Sequence, residues 1–477
     1  MLLHGPNSPR IRGLDLQFTH PRHRTEGPDR HHRSPRAERR TRQQLFRSRQ
    51  ELIRRTLMSE ATSEPLHGAQ ALTTSAKQRK SREIAPGVHF LAGFGNTTFL
   101  VGSEGVAVVD PGLLTSGPRV VRELRAITDL PVRYVIYTHG HYDHAFGTPS
   151  ILADARERGH AAPDIVGHVN VAKRFERYQK TSGHIAKTFD FQFSIWKGDG
   201  GDVVRHAEYH PPTIEFTDSI TLDELGGLEL ECHHGLGETD DHIWVWAPES
   251  RTIVGGDFIV SSLPNAGTPF RVQRYVLEWA QALEAMAAVE PQFVISGHGG
   301  VYTEKAAEML DVTARAMRWI DTEVVRRINE GQWQEQIINE VELPPEFDES
   351  EHLQPLYGCV QFAVRDVLRR YMGWYDGNPS MVFPSTRAQI ATEVVGLIGG
   401  VDALLARADA LATGDAADQQ LALHLVDFVI FNQGEGLAEA RRRKADLLES
   451  RAAGERSFVA HNVLRSAAAI EREALSD

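Results

Sequence analysis

Four side chains able to bind metal ions occur within six residues of this sequence. Residues 139–144 read His-Gly-His-Tyr-Asp-His, which places three imidazoles and one carboxylate on one short segment. Imidazole nitrogens and carboxylate oxygens are ligands for zinc and similar divalent ions. The spacing divides them, because His139 and His141 can face one ion while the adjacent Asp143 and His144 reach a second. The segment therefore predicts a two-metal site that needs further ligands from elsewhere.

A buried strand must position this segment. Val132–Tyr137 is a run of β-branched and aromatic residues that ends directly before it. The same kind of pattern predicts strands at Val88–Leu91, Thr97–Val101, Gly105–Val109, Leu228–Cys232, Ile243–Ala247, Thr252–Val254 and Phe293–Ile295, and helical spacing predicts helices at Ser116–Thr128 and Tyr275–Val289. This alternation of strands and helices indicates an α/β fold.

Three further ligand candidates follow the later strands. Glu238 comes after the strand that ends near Cys232, Asp257 after Thr252–Val254, and His298 after Phe293–Ile295. A rigid sheet can bring such strand ends together around one site. The structural alternatives are a loop acid, a helix cap and a loop histidine, respectively. Five other histidines are expected to be packed or solvated: His168, His184, His233, His234 and His242.

The H-x-H-x-D-H motif resembles the metallo-β-lactamase superfamily, which implies an αββα sandwich with two metal ions at one edge. The resemblance implies that Glu238 is a terminal ligand of the first ion and His298 of the second. Asp257 would be the bridging carboxylate, and Asp143 would bind the second ion and orient the attacking hydroxide. Asp143 and Asp257 are thus the predicted catalytic residues. Two divalent ions are expected, with Zn²⁺ as the default, although iron and manganese suit the same ligands.

A second resemblance indicates which group of superfamily hydrolases the chain is most similar to. Glu238 stands where most superfamily hydrolases have histidine, and this resembles alkyl sulfatases. Tyr357-Gly358 and the stretch 370–379, Arg-Tyr-Met-Gly-Trp-Tyr-Asp-Gly-Asn-Pro, resemble the alkyl sulfatase dimerisation domain. This implies a homodimer. Helical spacing beyond that stretch predicts helices at Thr386–Ala412, Asp415–Asn432, Leu437–Ser450 and Phe458–Ala474. The predicted domains are a basic, disordered extension (1–80), a metal-binding domain (84–304) and an all-helical dimerisation domain (305–477).

The chain departs from the alkyl sulfatase pattern at three points. Phe362 stands where those enzymes carry a histidine thought to protonate the leaving group, and phenylalanine donates no proton. Asp257 replaces a glutamate, and the chain lacks the lipid-carrier-like domain that alkyl sulfatases append, so long alkyl chains are not expected as substrates. His242 and Tyr142 are candidate proton donors from their proximity in sequence alone.

The segment 264–274 follows Asp257 and is expected to line the cleft. Its Asn265, Arg271 and Arg274 are predicted to bind an anionic ester substrate, since guanidinium groups hold sulfate and phosphate oxygens well. The alternative is that these arginines pair with the many acids of this protein.

Three functions are compatible with these residues. The first is alkyl sulfatase-like hydrolysis of a sulfuric ester by a metal-activated hydroxide. The second is another superfamily hydrolase, acting on a lactone, thioester, β-lactam or phosphodiester, which the absent histidine favours equally. The third, a non-enzymatic scaffold, is least favoured because all seven ligand positions hold competent residues.

Composition excludes other classes. The net charge is -12, yet Met1 to Met58 carries fourteen Arg, no Lys and five acids, leaving a strongly acidic body that argues against a nucleic acid partner. The basic segment is interpreted as translated upstream sequence rather than a basic arm or a targeting peptide. The two cysteines are far apart, so nitrogen and oxygen ligands are expected. No signal peptide or membrane span is predicted, and a cytoplasmic location is expected.

Overall fold

The structure is a computed structural model that describes residues 80–193 and 207–476. The extension predicted for residues 1–80 therefore lies outside the described residues, apart from Lys80. The strands are β1 Arg82–Ala85, β2 Val88–Leu91, β3 Thr97–Val101, β4 Val106–Val109, β5 Val132–Ile136, β6 Asp164–His168, β7 Ile214–Phe216, β8 Ser219–Leu222, β9 Leu230–His234, β10 Ile243–Ala247, β11 Thr252–Val254, β12 Phe293–Ile295 and β13 Val301–Tyr302.

The helices alternate with these strands at first and then follow one another. They are α1 Gly117–Ile127, α2 Tyr142–Ala145, α3 Thr148–Glu157, α4 Asn170–Lys180, α5 Ser182–Phe193, α6 Val276–Ala288, α7 Ala306–Asn329, α8 Gln334–Glu340, α9 Pro345–Asp348, α10 Val360–Tyr371, α11 Arg387–Ile398, α12 Asp402–Ala412, α13 Ala416–Asn432, α14 Leu437–Ala453 and α15 Phe458–Glu473. Short 3₁₀ turns occur at Pro248–Ser250, Gly256–Phe258 and Pro379–Met381.

The strands form two sheets. The first has the order β1-β2-β3-β4-β5-β6-β7, and the second has the order β13-β12-β11-β10-β9-β8. Parallel pairing joins β4, β5, β6 and β7 in the first sheet and β11 with β12 in the second. Parallel neighbours bring their carboxyl ends to the same edge, which is where open α/β sheets form sites.

Alternating side chains divide the core into three layers. In β10, Val245 points into the space between the two sheets, whereas Trp244 and Trp246 point the other way, toward α6 and α7. In β5, Ile136 shares the space between the sheets, while Val135 packs beneath α1, α3 and α4. Successive residues of a strand face opposite sides, so strands buried on both faces need apolar residues at every position. The result is the predicted αββα sandwich.

A helical region follows the sandwich without a break in packing. Helices α7 and α10 belong to the same apolar core as α6 on the outer face of the second sheet. Helices α11 to α15 surround a separate apolar core that contains Leu404, Val426 and Leu448. Every regular element described after β13 is a helix. In the described part of the chain, no helix is long and apolar enough to span a bilayer.

Two predicted elements need correction. The helix expected over Thr386–Ala412 is two helices, because Gly399 and Gly400 both adopt positive φ (87° and 124°) and end α11. The strand expected at Leu228–Cys232 runs from Leu230 to His234, since a turn with positive φ at Gly226 and Gly227 delays its start. The other strands and helices predicted up to residue 295 are present within one or two residues of their expected bounds.

Candidate metal centre

The seven predicted ligands lie at one edge of the sandwich. Each leaves a strand end or a short turn at that edge: His139 and His141 follow β5, Asp143 and His144 lie on α2, Glu238 lies between β9 and β10, Asp257 lies in the 3₁₀ turn after β11, and His298 follows β12. All are buried except His141 and His298, which are partly exposed. Ligands from positions 139 to 298 are therefore collected by two rigid sheets.

The structure sorts these side chains into two adjoining groups. The ligand atoms of His139, His141, Glu238 and Asp257 lie within 4.8 Å of one another, and so do those of Asp143, His144 and His298. Asp257 also reaches the second group, with Oδ1 3.2 Å from His144 Nε2 and Oδ2 3.2 Å from His298 Nε2. This is the position that a bridging carboxylate requires.

Two buried carboxylate oxygens indicate what the groups could bind. Glu238 Oε2 and Asp257 Oδ1 have no hydrogen-bond partner among the described residues, although imidazole nitrogens stand 3.2 to 3.5 Å from them. A buried carboxylate oxygen without a partner costs free energy, whereas coordination of a cation would satisfy it. The donor set of imidazoles and carboxylates also suits a divalent ion. The residues present therefore fit two metal ions.

Burial and neighbouring carboxylates shift the pKa values of the histidines in both groups. Burial lowers the pKa of His141 to about 4, and the neighbouring Glu238 opposes this shift only in part. Burial acts to lower the pKa of His298 as well, but the carboxylates of Asp257 and Asp143 outweigh it and raise the pKa to about 10. Perturbed pKa values gathered in one cleft are typical of a functional site.

Asp110, at the end of β4, holds the second group from behind. Its carboxylate accepts hydrogen bonds from Thr138 N (2.7 Å), Thr138 Oγ1 (2.7 Å) and His144 Nδ1 (2.8 Å). With its proton on Nδ1, a neutral His144 would have Nε2 available to bind an ion, as in the carboxylate–histidine pairs that support metal ligands. Asp110 has a positive φ of 54° and is only 2% exposed. Its place after a strand, in Asp-Pro-Gly, was the available signal for this role.

Glu238 is oriented by the residues that were predicted to bind substrate. Arg274 NH1 and Asn265 Nδ2 both donate to Glu238 Oε1, the latter at 2.9 Å. This leaves Oε2 facing His139 and His141. Arg274 and Asn265 do border the cavity described below, but these donors are already bonded to the ligand.

A buried ion pair fixes the loop that carries His139 and His141. Arg174 of α4 donates through Nε to Asp241, whose carboxylate also accepts from the Gly140 backbone N–H at 2.9 Å. A Cβ at position 140 would lie 3.0 Å from atoms of both Arg174 and Asp241. A larger residue between the two histidines would therefore have to displace the buried ion pair.

A cavity of about 680 Å³, part of it open to solvent, lies over both groups. Its floor includes His141, Asp143, Glu238, Asp257 and His298; its walls are formed by Phe94, Tyr142, Gln192, Phe193, Val260, Asn265, Arg271, Arg274, Tyr357 and Phe458. The lining thus combines phenylalanine rings with two guanidinium groups and two phenols.

Arg271 belongs to the polar part of this lining. Its NH2 donates to Gln192 Oε1 at 2.5 Å and to Tyr142 Oη at 3.3 Å. Gln192 Nε2 in turn donates to Tyr357 Oη at 2.5 Å. Of the three residues predicted to bind substrate, Arg271 is the one whose described hydrogen bonds do not involve the carboxylate of a predicted metal ligand.

The two candidate proton donors occupy different surroundings. His242 is fully buried beneath the site, where its ring stacks on Phe258 with centroids 4.0 Å apart. Burial lowers its pKa, and it does not line the cavity formed by the described residues. Tyr142 does line the cavity. Phe362 lies in the first turn of α10, where its carbonyl packs against Gly267, and among the described residues it is not part of the cavity wall.

Sequence reasoning missed the apolar part of the lining and, among its polar residues, Gln192 and Tyr357. Gln192 lies in the last turn of α5 and Phe458 at the start of α15, and neither belongs to a local sequence motif. Tyr357 belongs to the Tyr-Gly pair of the alkyl sulfatase resemblance, but no sequence pattern predicts that it lines the cavity. These residues meet because α15 packs on α5: Asn462 Nδ2 donates to the Gln192 carbonyl at 2.8 Å, and Ser466 Oγ to the Phe191 carbonyl at 3.3 Å.

Comparison with known proteins agrees with this architecture. A linear primary-alkylsulfatase from a Pseudomonas species is 26% identical over 333 residues, which are 65% of this chain and 62% of the relative. An alkyl/aryl-sulfatase from Saccharomyces cerevisiae is 22% identical over 374 residues, which are 74% of this chain and 56% of the relative. The chain thus spans about three fifths of the length of these curated relatives.

A solved structure shares the fold. The stereoselective inverting sec-alkylsulfatase from Pseudomonas sp. superposes with a TM-score of 0.71 at 21% identity, covering 84% of this chain and 67% of that one. Residues 91–298 match the family model of the metallo-beta-lactamase superfamily, and residues 334–474 match that of alkyl sulfatase dimerisation. The chain therefore combines a region that matches the metallo-beta-lactamase superfamily with a following region that matches the alkyl sulfatase dimerisation family.

Proposed function

We propose that this protein is a two-metal hydrolase that cleaves sulfuric esters of small alcohols. The observation that carries the proposal is the cavity itself, which is lined by five of the seven metal-competent side chains and also by Arg271. The named relatives are alkylsulfatases, which supports sulfate esters as the substrate class.

The proposed ligand sets follow the two groups. His139, His141 and Glu238 would hold one divalent ion, and Asp143, His144 and His298 the other, with Asp257 between them. When bound, such a pair lowers the pKa of a shared water toward neutrality and stabilises charge on the attacked group. Zinc is the proposed metal, because it tolerates mixed imidazole and carboxylate ligands.

The chain's own residues would bind and orient the ester. The Arg271 guanidinium offers the positive charge that a sulfate group requires, and Tyr142 and Tyr357 place hydroxyl groups beside it. Phe94, Phe193 and Phe458 add an apolar surface to the lining, which would receive a short alkyl group. Asp143 would orient the attacking water, since its carboxylate lies in the floor of the cavity.

The test combines metal analysis with a substrate panel. We expect two equivalents of metal and turnover of alkyl sulfates, both reduced in His141→Ala. His233→Ala is the matched control, because that imidazole stacks on Trp244 and lies outside both ligand groups. Turnover of lactones or phosphodiesters but not of sulfates would assign another reaction of the superfamily, and absence of bound metal would contradict the proposal entirely.

We also propose a homodimer that forms through the helical region. Large apolar side chains are exposed along residues 371–398, including Trp374 (75% exposed), Phe383 (91%) and Leu397 (85%). Large apolar side chains exposed in one segment support an interaction site there. Sedimentation should show a dimer for the unmodified chain and a monomer for the double variant Phe383→Asp, Leu397→Asp. Ala161→Asp, at an exposed position of the metal-binding domain, should remain dimeric.

A further inference from the structure

The cavity contains a chain of hydrogen bonds whose direction is fixed by chemistry. Arg271 can only donate, because a guanidinium group has no acceptor, so the Gln192 atom facing it must be the carbonyl oxygen. The Gln192 amide nitrogen must then face Tyr357, and it donates to that hydroxyl oxygen. Tyr357 therefore accepts a hydrogen bond and keeps its own proton for another partner.

Tyr357 lines the cavity that lies over the metal-ligand groups. Its ring stacks on Phe458 with centroids 5.7 Å apart. Its backbone carbonyl accepts from Ser457 Oγ at 2.7 Å and from Val459 N at 3.2 Å, which fixes the residue to the start of α15. The side chain is thus held rigidly before a substrate arrives, as general acid catalysis requires.

We infer that Tyr357 is the proton donor to the leaving group, with Gln192 and Arg271 as the residues that orient it. This inference rests on the proposed function, because it concerns the ester oxygen released at the same site. It accounts for Phe362, since a phenol in the lining of the cavity can supply the proton that a phenylalanine cannot. Burial also raises the pKa of Tyr357, against an opposing effect of Arg271, so the hydroxyl is protonated at neutral pH.

The proposed step balances as follows. A water oxygen forms a bond to sulfur, and the bond between sulfur and the alkyl oxygen breaks with its electron pair going to that oxygen. The alkyl oxygen takes the Tyr357 proton and leaves as the alcohol. One proton of the water stays with the hydrogen sulfate product, and the other returns to the Tyr357 phenolate.

The test uses two sulfate esters that differ in their need for a proton. An alkyl sulfate releases a poor alkoxide, whereas para-nitrophenyl sulfate releases a stable phenolate that needs no acid. In the full-length, metal-loaded protein, Tyr357→Phe should lower kcat for the alkyl ester by about 10²- to 10⁴-fold and that for the nitrophenyl ester by less than about tenfold. A role in binding or folding would lower both esters alike, and that result would overturn the inference.

A second variant tests the orientation without removing the phenol. Gln192→Glu places a carboxylate oxygen where the amide nitrogen was, so the Tyr357 hydroxyl would donate to it and turn its proton away from the cavity. We expect the same selective loss on the alkyl ester, with thermal stability maintained by the retained bond to Arg271. Tyr142→Phe is the matched control, because Tyr142 also lines the cavity and its hydroxyl accepts a hydrogen bond from Arg271. If Tyr142 only helps to bind the sulfate group, its loss should affect both esters equally. A selective loss in Tyr142→Phe alone would assign the proton to Tyr142 instead.

Failure of this inference can be told from failure of the proposed function. If the unmodified protein hydrolyses both esters while Tyr357→Phe loses both equally, only the assignment of the donor is wrong. If the unmodified protein hydrolyses neither ester, the sulfatase proposal fails, and the proton donor proposed for it fails too.

Discussion

Asp110→Asn tests how the carboxylate behind the second ligand group controls metal binding. The change keeps the size of the side chain, and asparagine tolerates the positive φ of this position about as well as aspartate does. It removes one acceptor, however, from a carboxylate that now receives three hydrogen bonds. The substitution therefore isolates the hydrogen bonding of Asp110 from its shape and backbone.

The amide has two orientations, and both carry a penalty. If its oxygen faces the Thr138 N–H, its NH₂ group faces His144 Nδ1, which must then lose its proton and move it to Nε2, the atom aimed at the site. If the amide is flipped, its NH₂ group opposes the Thr138 N–H in a fully buried place. An unsatisfied buried donor costs about 1–3 kcal/mol. Loss of comparable outer-shell partners lowers metal affinity or activity about 10- to 100-fold, which is about 1.4–2.7 kcal/mol.

Titration of metal-free protein against a chromophoric chelator measures this effect. We expect one of two metal equivalents to weaken about 10- to 100-fold in Asp110→Asn, while the equivalent held by the group around His141 changes little. Asp129→Asn is the control, because that carboxylate is 87% exposed and pairs only with Arg158 among its described contacts. Unchanged affinity for both equivalents would refute the idea that Asp110 sets the protonation of His144.

Three further predictions concern stability. Burial acts to raise the pKa of Asp154, but hydrogen bonds from Arg125 and Arg158 outweigh it and hold the pKa below 3.8. Its contribution is therefore present above pH 3.8 and lost as the pH falls through the folded-state pKa, so Asp154→Asn should cost about 1–3 kcal/mol at neutral pH and progressively less in acid. Urea unfolding at several pH values checks this, and a cost independent of pH would contradict it. Asn462→Leu leaves the Gln192 carbonyl without its donor and should lower the free energy of unfolding by about 1–3 kcal/mol together with kcat/KM; unchanged kinetics would show that the contact does not support the cavity. Chelation of bound metal should lower the calorimetric unfolding temperature, since metal at 100 times its Kd adds about 2.7 kcal/mol to stability, and an unshifted transition would argue against buried metal sites.

The floor of the cavity could be predicted from sequence because its determinants are local. Each ligand follows a short apolar strand, and strand ends on one edge of a sandwich meet once the sheets form. Asp143 and His298 fall into one ligand group because the strands that precede them end at the same edge of the sandwich. The break at Gly399-Gly400 was also encoded locally, yet helical spacing on both sides concealed it.

The polar lining could be predicted only in part, because the contacts that place Gln192 and Tyr357 in it are long-range. Gln192 reaches Tyr357 across 165 residues, and its orientation depends on Arg271 from a third segment. Arginines and amides in loops carry no periodicity, so their partners follow only from packing. For the same reason the sequence placed Asn265 and Arg274 near the substrate, whereas in the fold they also orient Glu238.

The contact between α15 and α5 has a consequence for biosynthesis. Asn462 and Gln192 are 270 residues apart in the chain, and Phe458 of α15 forms part of the cavity wall. A nascent chain translated past His298 already contains all seven predicted metal ligands, but it has neither Tyr357 nor the helix that fixes α5. In the proposed enzyme, metal can therefore bind before the cavity is complete, and the interval is the time needed to synthesise some 160 more residues. Activity is expected only after α15 has been translated.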